Sequence, residues 1–556
     1  MPRVCVIGID GATFDLIRPL AAEGKLPTLS EIMREGASGP LLTVPGLNSA
    51  AAWSSFLTGK NPGKHGIFDF YQPIPGSYRI RFLNGGDRHG ESLWSLLSRE
   101  GRKVGVINVP MTFPAEAVDG FLVSGLDAPG ANSPGFAYPA GLMQELRREV
   151  GQYTLLPGLV GYMLAGKEAE GLARLEECLA RRVAATTYLL NSREWDFFMV
   201  VFNAVDSVQH CFWKYADPSF AGPTDEERQR FGGAIARVYS LVDSAVAQIR
   251  ALLPEDTVVI VMSDHGAGPR HLAARQLNPW LEAIGLLCYE PPRPSLRKTL
   301  ASLAKAAYAR LERIPNRRLK ESLLRAAPGL RDRIRSDLLL SGIDWARTKA
   351  FADPVGSTIR LNLVGREPDG AVHAGPESEE VLELISRRLL ECTDRVTGSP
   401  AVEAVQRRDE AFRGPHVSDA PELVIRWNSR TPINSLSGAA ASHGDFPTGQ
   451  FRAISGDHRP EGVLMMAGPG VVAGASIRGA RIEDLFPTIL HLMNVGTPPD
   501  LDGEILNSIL SPAVAGPSTV GSGRLQAGER VPTKHRYTPR EEEQVRERLR
   551  GLGYLE

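Results

Sequence analysis

Five short apolar runs, nearly unbroken by polar residues, constrain this chain more than any other feature. They are Val4-Cys5-Val6-Ile7-Gly8-Ile9, Val104-Gly105-Val106-Ile107, Phe197-Phe198-Met199-Val200-Val201-Phe202, Thr257-Val258-Val259-Ile260-Val261-Met262 and Val463-Leu464-Met465-Met466. A strand with one wet face alternates apolar and polar residues, whereas a continuous run needs cover on both faces. That predicts strands of a parallel sheet with helices packed on either side. Helical patterns such as Ser92–Arg99 and Gly171–Leu190 fall between the runs. The fold class expected is therefore α/β, an open, mainly parallel sheet flanked by helices, with ligands at the carboxyl ends of the strands.

Charge and cysteine content narrow the function. The 556 residues carry 63 Lys and Arg against 64 Asp and Glu, a net charge of −1. A binder of nucleic-acid polymers would show a clear positive excess, so none is expected. Five scattered cysteines (Cys5, Cys178, Cys211, Cys288, Cys392) form no CxxC pair, which argues against a disulfide framework or a thiolate metal site and suits a reducing compartment. No apolar run reaches the about 18 residues that would span a bilayer. Met1-Pro2-Arg3 leads straight into an apolar strand with no signal-peptide pattern, so a cytoplasmic location is expected.

The chain divides by pattern into an α/β core over 1–290 and 431–510, interrupted twice and followed by a tail over 511–556. The first interruption, 291–342, is a basic helical insertion: 13 Lys or Arg against Glu312, Glu321 and Asp332 between Arg293 and Arg335. It reads as a solvated helical segment, with peripheral contact to a membrane surface or an anionic substrate through 293–335 as the alternative. The second, 343–430, reads as a smaller α+β cap lobe, with strands at Ser357–Asn362 and Leu423–Arg426, in which substrate choice is expected to lie. The tail begins as a linker rich in Gly, Ser, Pro and Ala. It then shows Thr538-Pro539-Arg540-Glu541, an N-cap with Pro at the first helical position and acids in the first turn, so a short C-terminal helix is expected.

Chemistry gathers where the strands end. Asp10 closes the first run, Asp206 and His210 follow the third, Asp264 and His265 follow the fourth, and Asp457-His458 precede the fifth. Carboxylate oxygen and imidazole nitrogen together suit a divalent transition metal, Zn²⁺ best, with Mn²⁺ or Fe also accommodated. Asp206 and His210, at i and i+4, can share an ion if Asp206 lies in the first turn of a helix. Gly266 and Gly268 are expected to ease the bend that aims Asp264 and His265 inward. Upstream, Ala50–Leu57 reads as a short helix with Asn48 or Ser49 at its start. A serine there faces free N–H groups and the positive end of the helix dipole, but it needs a metal or a base to become a nucleophile.

These residues carry a family resemblance. The chain resembles the alkaline phosphatase superfamily, and within it the type I phosphodiesterase/nucleotide pyrophosphatase family, over most of 3–507. The most specific block is Thr58-Gly59-Lys60-Asn61-Pro62-Gly63-Lys64-His65-Gly66-Ile67, similar to the family's TG-x-x-P-x-x-HGI. The family's nucleophile lies nine residues before the Thr of that block, at Ser49 here. Further matches are Asp206-x-x-x-His210, Ser263-Asp264-His265-Gly266, Gly456-x-His458, Asp484-Leu485-Phe486-Pro487-Thr488-Ile489-Leu490 and Asp502-Gly503.

The resemblance implies an alkaline-phosphatase-like fold and hydrolysis of a small phosphorylated substrate through a phosphoseryl intermediate on Ser49, with two divalent ions. One ion would be held by Asp10, Asp264, His265 and the Ser49 oxygen, the other by Asp206, His210 and His458. In eukaryotic relatives an Asn three residues after the nucleophile helps hold a phosphate oxygen. Ala52 stands there, so the backbone N–H of Ala50, or Asn48, is expected to serve instead. His65 is read as structural, His271 as no ligand, and His443 as a weaker rival to His458. The sulfatase reading is poor, since Ser49-Ala50-Ala51-Ala52-Trp53 lacks the Pro and Arg of that family's motif. A phosphomonoesterase, a phosphoglycerate-mutase-like enzyme and a membrane-docking headgroup phosphotransferase remain as alternatives.

Overall fold

The computed structural model describes residues 3–220, 222–290, 342–352, 357–429, 433, 435–437, 453–516 and 535–552. The basic stretch from Arg293 to Arg335, most of the linker, and His443 lie outside the described residues.

The apolar runs form the centre of a nine-stranded sheet. Arg3–Ile9 lies between Thr257–Met262 and Phe197–Phe202, and Val104–Val109 and Gly120–Ser124 continue beyond Phe197–Phe202, all parallel. Both faces are covered, as the continuous runs require. Cys5, Ile7 and Ile9 enter one apolar core, while Val4 and Val6 enter the other on the opposite face. Helices Glu168–Ser192, Ala204–Ala216 and Ala234–Arg250 supply the first core, and Ser49–Thr58 and Leu485–Leu492 the second. At about 1.5–3 kcal/mol for each fully buried aliphatic or aromatic side chain, these strands hold the scaffold rigid beneath their polar ends.

The fifth run differs from its expected direction. Glu461–Ala467 runs antiparallel to Thr257–Met262 on one side and to Ala37–Leu42 on the other. An antiparallel strand starts where its neighbours end, so the residues just before Glu461 stand at the carboxyl edge without a reaching loop. Those residues are themselves a strand, Gly456–Arg459, which pairs antiparallel with Gly266–Pro269 and sets His458 opposite Ala267. Register aligns the rest of the edge: Ile9 pairs with Phe202 and Gly8 with Met262, so Asp10 and Asn203 leave the sheet side by side, with Ser263 one position earlier, level with Ile9.

A separate four-stranded antiparallel sheet follows, ordered Ala350–Ala352, Thr358–Leu361, Leu423–Trp427, Val402–Arg407, with helix Pro376–Leu390 against it. Its apolar core also takes in Leu277, Trp280 and Leu281 from helix Leu277–Ala283. The C-terminal helix runs Pro539–Leu552. Thr538 and Glu541 form its reciprocal cap, and Val545, Leu549 and Leu552 form one apolar stripe docked on the core. No helix among the described residues is long and apolar enough to cross a membrane.

Candidate active site

The four strand-end elements converge with the head of helix Ser49–Thr58. Asn48 is the N-cap, its side chain accepting from Ala50 N–H at 2.9 Å, and Ser49 is the first helical residue. Ser49 is fully buried, with its Oγ 2.9 Å from His265 Nε2. Asp206 lies in the first turn of helix Ala204–Ala216, one turn from His210, and 3.1 Å separates Asp206 Oδ1 from His210 Nε2. The rings of His265 and His458 stack with centroids 3.6 Å apart.

Each of the three imidazoles is oriented by a backbone carbonyl. Nδ1–H donates to Gly456 O from His210, to Gly266 O from His265 and to Leu47 O from His458, each at 2.9 Å. A carbonyl only accepts, so Nδ1 carries the proton and Nε2 of each neutral ring presents a lone pair. The Nε2 atoms of His210 and His458 lie 3.1 Å apart, a pair of acceptors that only a cation or an extra proton reconciles. The carboxylates make the same demand. Asp10 Oδ1 and both oxygens of Asp264 are buried without a hydrogen-bond partner, which costs at least about 1–3 kcal/mol per group unless a cation stands in. The donor set therefore fits divalent metal. Among the described residues, two clusters have ligand atoms close enough to hold an ion: Asp206, His210 and His458, and Asp10, Asp206 and His265. Asp206 belongs to both, which the sequence did not suggest.

The proton equilibria follow from this crowding. Burial pushes the Asp10 carboxyl well up, and the charges of Asp264 and Asp206 push it further. Burial also lifts Asp206, but His210, His458 and His265 outweigh it and hold that carboxyl well below its ordinary range. His210, pulled down by burial and up by Asp206, settles at about 8, while burial and repulsion from His265 and His210 drive His458 down to about 3. A cation must displace the His210 proton, so zinc affinity measured by chelator competition should rise about tenfold per pH unit up to about pH 8 and level off above it. A flat profile would remove His210 from the ligand set. In metal-stripped protein the sign reverses. The raised pKa makes the protonated imidazole stabilising below about pH 6.5, and that contribution is lost as pH rises through about 8.

Other readings meet mixed outcomes. The Ala50 N–H, expected to face a phosphate oxygen, donates to Asn48 Oδ1, and the Asn48 amide donates to Asp69 Oδ1 at 2.7 Å. Both are engaged in fixing the helix start. Gly266, expected to relax a bend, does not have a left-handed φ; what requires it is close packing, since a Cβ would lie 2.1 Å from Glu461 O. The glycine that turns the chain is Gly11, at φ 70°, where a Cβ would sit 3.0 Å from Asp206 Oδ1. His65 is buried, accepting from Ile67 N–H through Nδ1 and bonded to Ser55 Oγ through Nε2, and it belongs to neither metal cluster. His271 Nδ1 accepts from Ile433 N–H and stays outside the clusters. Sequence reasoning passed over Asn203, whose Nδ2 donates to Asp10 Oδ2 at 2.6 Å while its Oδ1 accepts from Asn108. Its place directly after a buried run, level with Asp10, is the signal that marks it.

A cavity of about 120 Å³ opens on His210 and His458. It is bounded by Leu47, Asn48, Phe68 and Tyr71 of the core and by Thr358, Val424, Arg426 and Trp427 of the smaller sheet. Phe68 lies edge-on to Phe412 with centroids 5.1 Å apart, whereas Trp53 and Phe70 are packed in the interior.

An open sheet with an Asp/His cluster at its carboxyl edge, beside a serine in the first turn of a helix, carries the donor set that a hydrolytic metal site uses. The profile of the family described as type I phosphodiesterase/nucleotide pyrophosphatase matches residues 4–430, and the chain belongs to that family. It is thus a phosphodiesterase/pyrophosphatase-type hydrolase of phosphate esters, in a family that is generally metal-dependent. Among solved structures it is similar to phosphonoacetate hydrolase from Sinorhizobium meliloti 1021 in complex with phosphonoformate, with 16% identity and a TM-score of 0.49 over 87% of this chain and 94% of that one. It is also similar to an inactive form of murine ectonucleotide pyrophosphatase/phosphodiesterase 5 in complex with AMP, with 13% identity and a TM-score of 0.48 over 92% of this chain and all of that one. No curated protein matches it in sequence.

Proposed function

We propose that the protein hydrolyses small phosphate diesters with two divalent ions, most suitably zinc, and Ser49 as nucleophile. The observation that carries this reading is the contact of Ser49 Oγ with His265 Nε2, at the head of a helix and beside carboxylate oxygens that have no hydrogen-bond partner. Asp10, Asp264, His265 and Ser49 would hold one ion and Asp206, His210 and His458 the other, with Asp206 also within reach of the first. Ions so held would neutralise charge on the attacking and departing oxygens, the largest part of phosphoryl-transfer catalysis.

The chain's own groups do the rest. Ser49 Oγ gives up its proton to solvent and forms a bond to phosphorus as the bond to the alcohol oxygen breaks with its electron pair, and that oxygen takes up a proton from water, so no net proton is released. Water then cleaves the phosphoserine, releasing a monoester and restoring the hydroxyl. The positive end of the Ser49–Thr58 helix favours the deprotonated oxygen, and the Asn48–Asp69 bond keeps that helix end in place. Full burial of Ser49 keeps bulk water from competing with these interactions. Asn203, bonded to Asp10, orients a carboxylate that would otherwise be free to rotate.

The small cavity and the near-zero net charge of the chain support a small phosphorylated substrate over a polymer. Five free cysteines support a reducing compartment. Comparing bis-p-nitrophenyl phosphate with p-nitrophenyl phosphate tests the reading. The diester is expected to be turned over at least about tenfold better in kcat/KM. A preference of that size for the monoester would replace this reading with a phosphomonoesterase.

A further inference from the structure

A second cavity, of about 220 Å³, adjoins the first and shares two walls with it, His210 and Leu552. The C-terminal helix closes it through Glu547, Arg548 and Leu552, opposite Ser207, His210 and Cys211 of helix Ala204–Ala216. We infer that this cavity is the subsite for the departing alcohol of the substrate, an uncharged group of fragment size, and that the C-terminal helix is thereby part of the active site. The inference deepens the diester reading and rests on it.

Position is the first argument. From Ser49 the site runs through His265 at 2.9 Å, then His458 stacked on it, then His210 with its Nε2 3.1 Å from that of His458. In-line displacement sends the departing oxygen away from the nucleophile, towards the His210 end. His210 is the residue there that faces both cavities.

Lining chemistry is the second. Leu156, Leu159 and Leu552 give the space apolar walls. Arg548 is held charged, at about 10 after burial lowers it, but its guanidinium is committed to the carbonyls of Leu126, Ala128 and Pro129. Among the described lining residues Arg548 is thus not left to recognise a second phosphate, and Glu547 would repel one. Apolar walls of that kind suit an uncharged alcohol or phenol arm better than a second phosphate. The volume lies below the roughly 300–1,000 Å³ of drug-sized pockets, which suits one arm of an ester rather than a whole substrate.

Helix docking gives the cavity a fixed wall. Val545 and Leu549 are buried in the core and Tyr537 Oη donates to Asp127 O at 2.5 Å, so Leu552 is presented from an anchored element.

The test uses the full chain with Leu552→Trp, which fills the space, and Leu552→Ala, which enlarges it. Two readouts are taken: binding of free 4-methylumbelliferone by fluorescence titration, and the ratio of kcat/KM for methyl 4-methylumbelliferyl phosphate to that for methyl p-nitrophenyl phosphate. Filling a hydrophobic subsite is worth about 10–200-fold, so Leu552→Trp is expected to weaken umbelliferone binding at least about tenfold and to lower the ratio. Leu552→Ala is expected to raise the ratio, and it decides the matter should the Trp variant fail to fold. Binding and ratio unchanged in a folded Leu552 variant would overturn the inference. Wild-type protein that hydrolyses neither ester, yet binds umbelliferone in a Leu552-dependent way, would overturn the diester reading and leave the subsite.

Discussion

Ser49→Ala is expected to lower kcat for a diester by about four to six orders of magnitude while leaving the fold intact. The deleted atom is a nucleophile, and nothing beside it is a second candidate: Ser54 and Ser55 are on the same helix but farther from its start, and Ser55 is bonded to His65. Alanine is a good helix former and fits the first helical position, and Asn48 keeps the cap, so stability should change little. Removing one oxygen from the ligand set should weaken one ion and leave the other. The check is single-turnover trapping: wild-type protein quenched in acid should carry phosphate on Ser49, and the variant none. Retained turnover, or label on another residue, would reassign the nucleophile.

The second large effect concerns metal content, and it separates two ways of drawing the site. Because Asp206 stands in both ligand clusters, Asp206→Asn should reduce bound metal from about two ions to near zero, whereas His458→Ala should leave about one. Equal losses in the two variants would mean that Asp206 serves a single ion, as the family resemblance implies. Elemental analysis after dialysis against trace zinc reads this directly. The Asn side chain keeps the volume, so the helix Ala204–Ala216 should hold. What is lost is a carboxylate that three imidazoles and the local field keep ionised.

Much of this was legible beforehand, for a physical reason. A sheet buried on both faces must be written as continuous apolar runs, and a polar residue can appear only where the run stops. Asp10, Asp206 and Asp264 therefore declared themselves by position alone. Parallel strands stop at the same edge, so acids far apart in the chain could be expected to meet. The helix over Ser49–Thr58 was legible from its alanines and closing glycine, and the C-terminal helix from its Thr-Pro cap.

Direction was not legible, because an apolar run such as Val463–Met466 reads alike in either sense. Only pairing with Thr257–Met262 and Ala37–Leu42 made it antiparallel and brought His458 to the edge as part of a strand. Hydrogen bonds already taken were equally hidden: the Ala50 N–H looked free in sequence and is occupied by Asn48.

By itself, then, the sequence determined which residues are buried, where each strand must end, and which acids, histidines and serine stand at those ends, since all of these follow from local patterning of polarity. Tertiary structure alone decided that Asp206 lies within reach of both candidate clusters, that Asn203 is bonded to Asp10, and that Leu552, over 300 residues from His210 in the chain, lines the same cavity. Those are distances between atoms on separate elements, and they come into being only when packing sets the elements against one another.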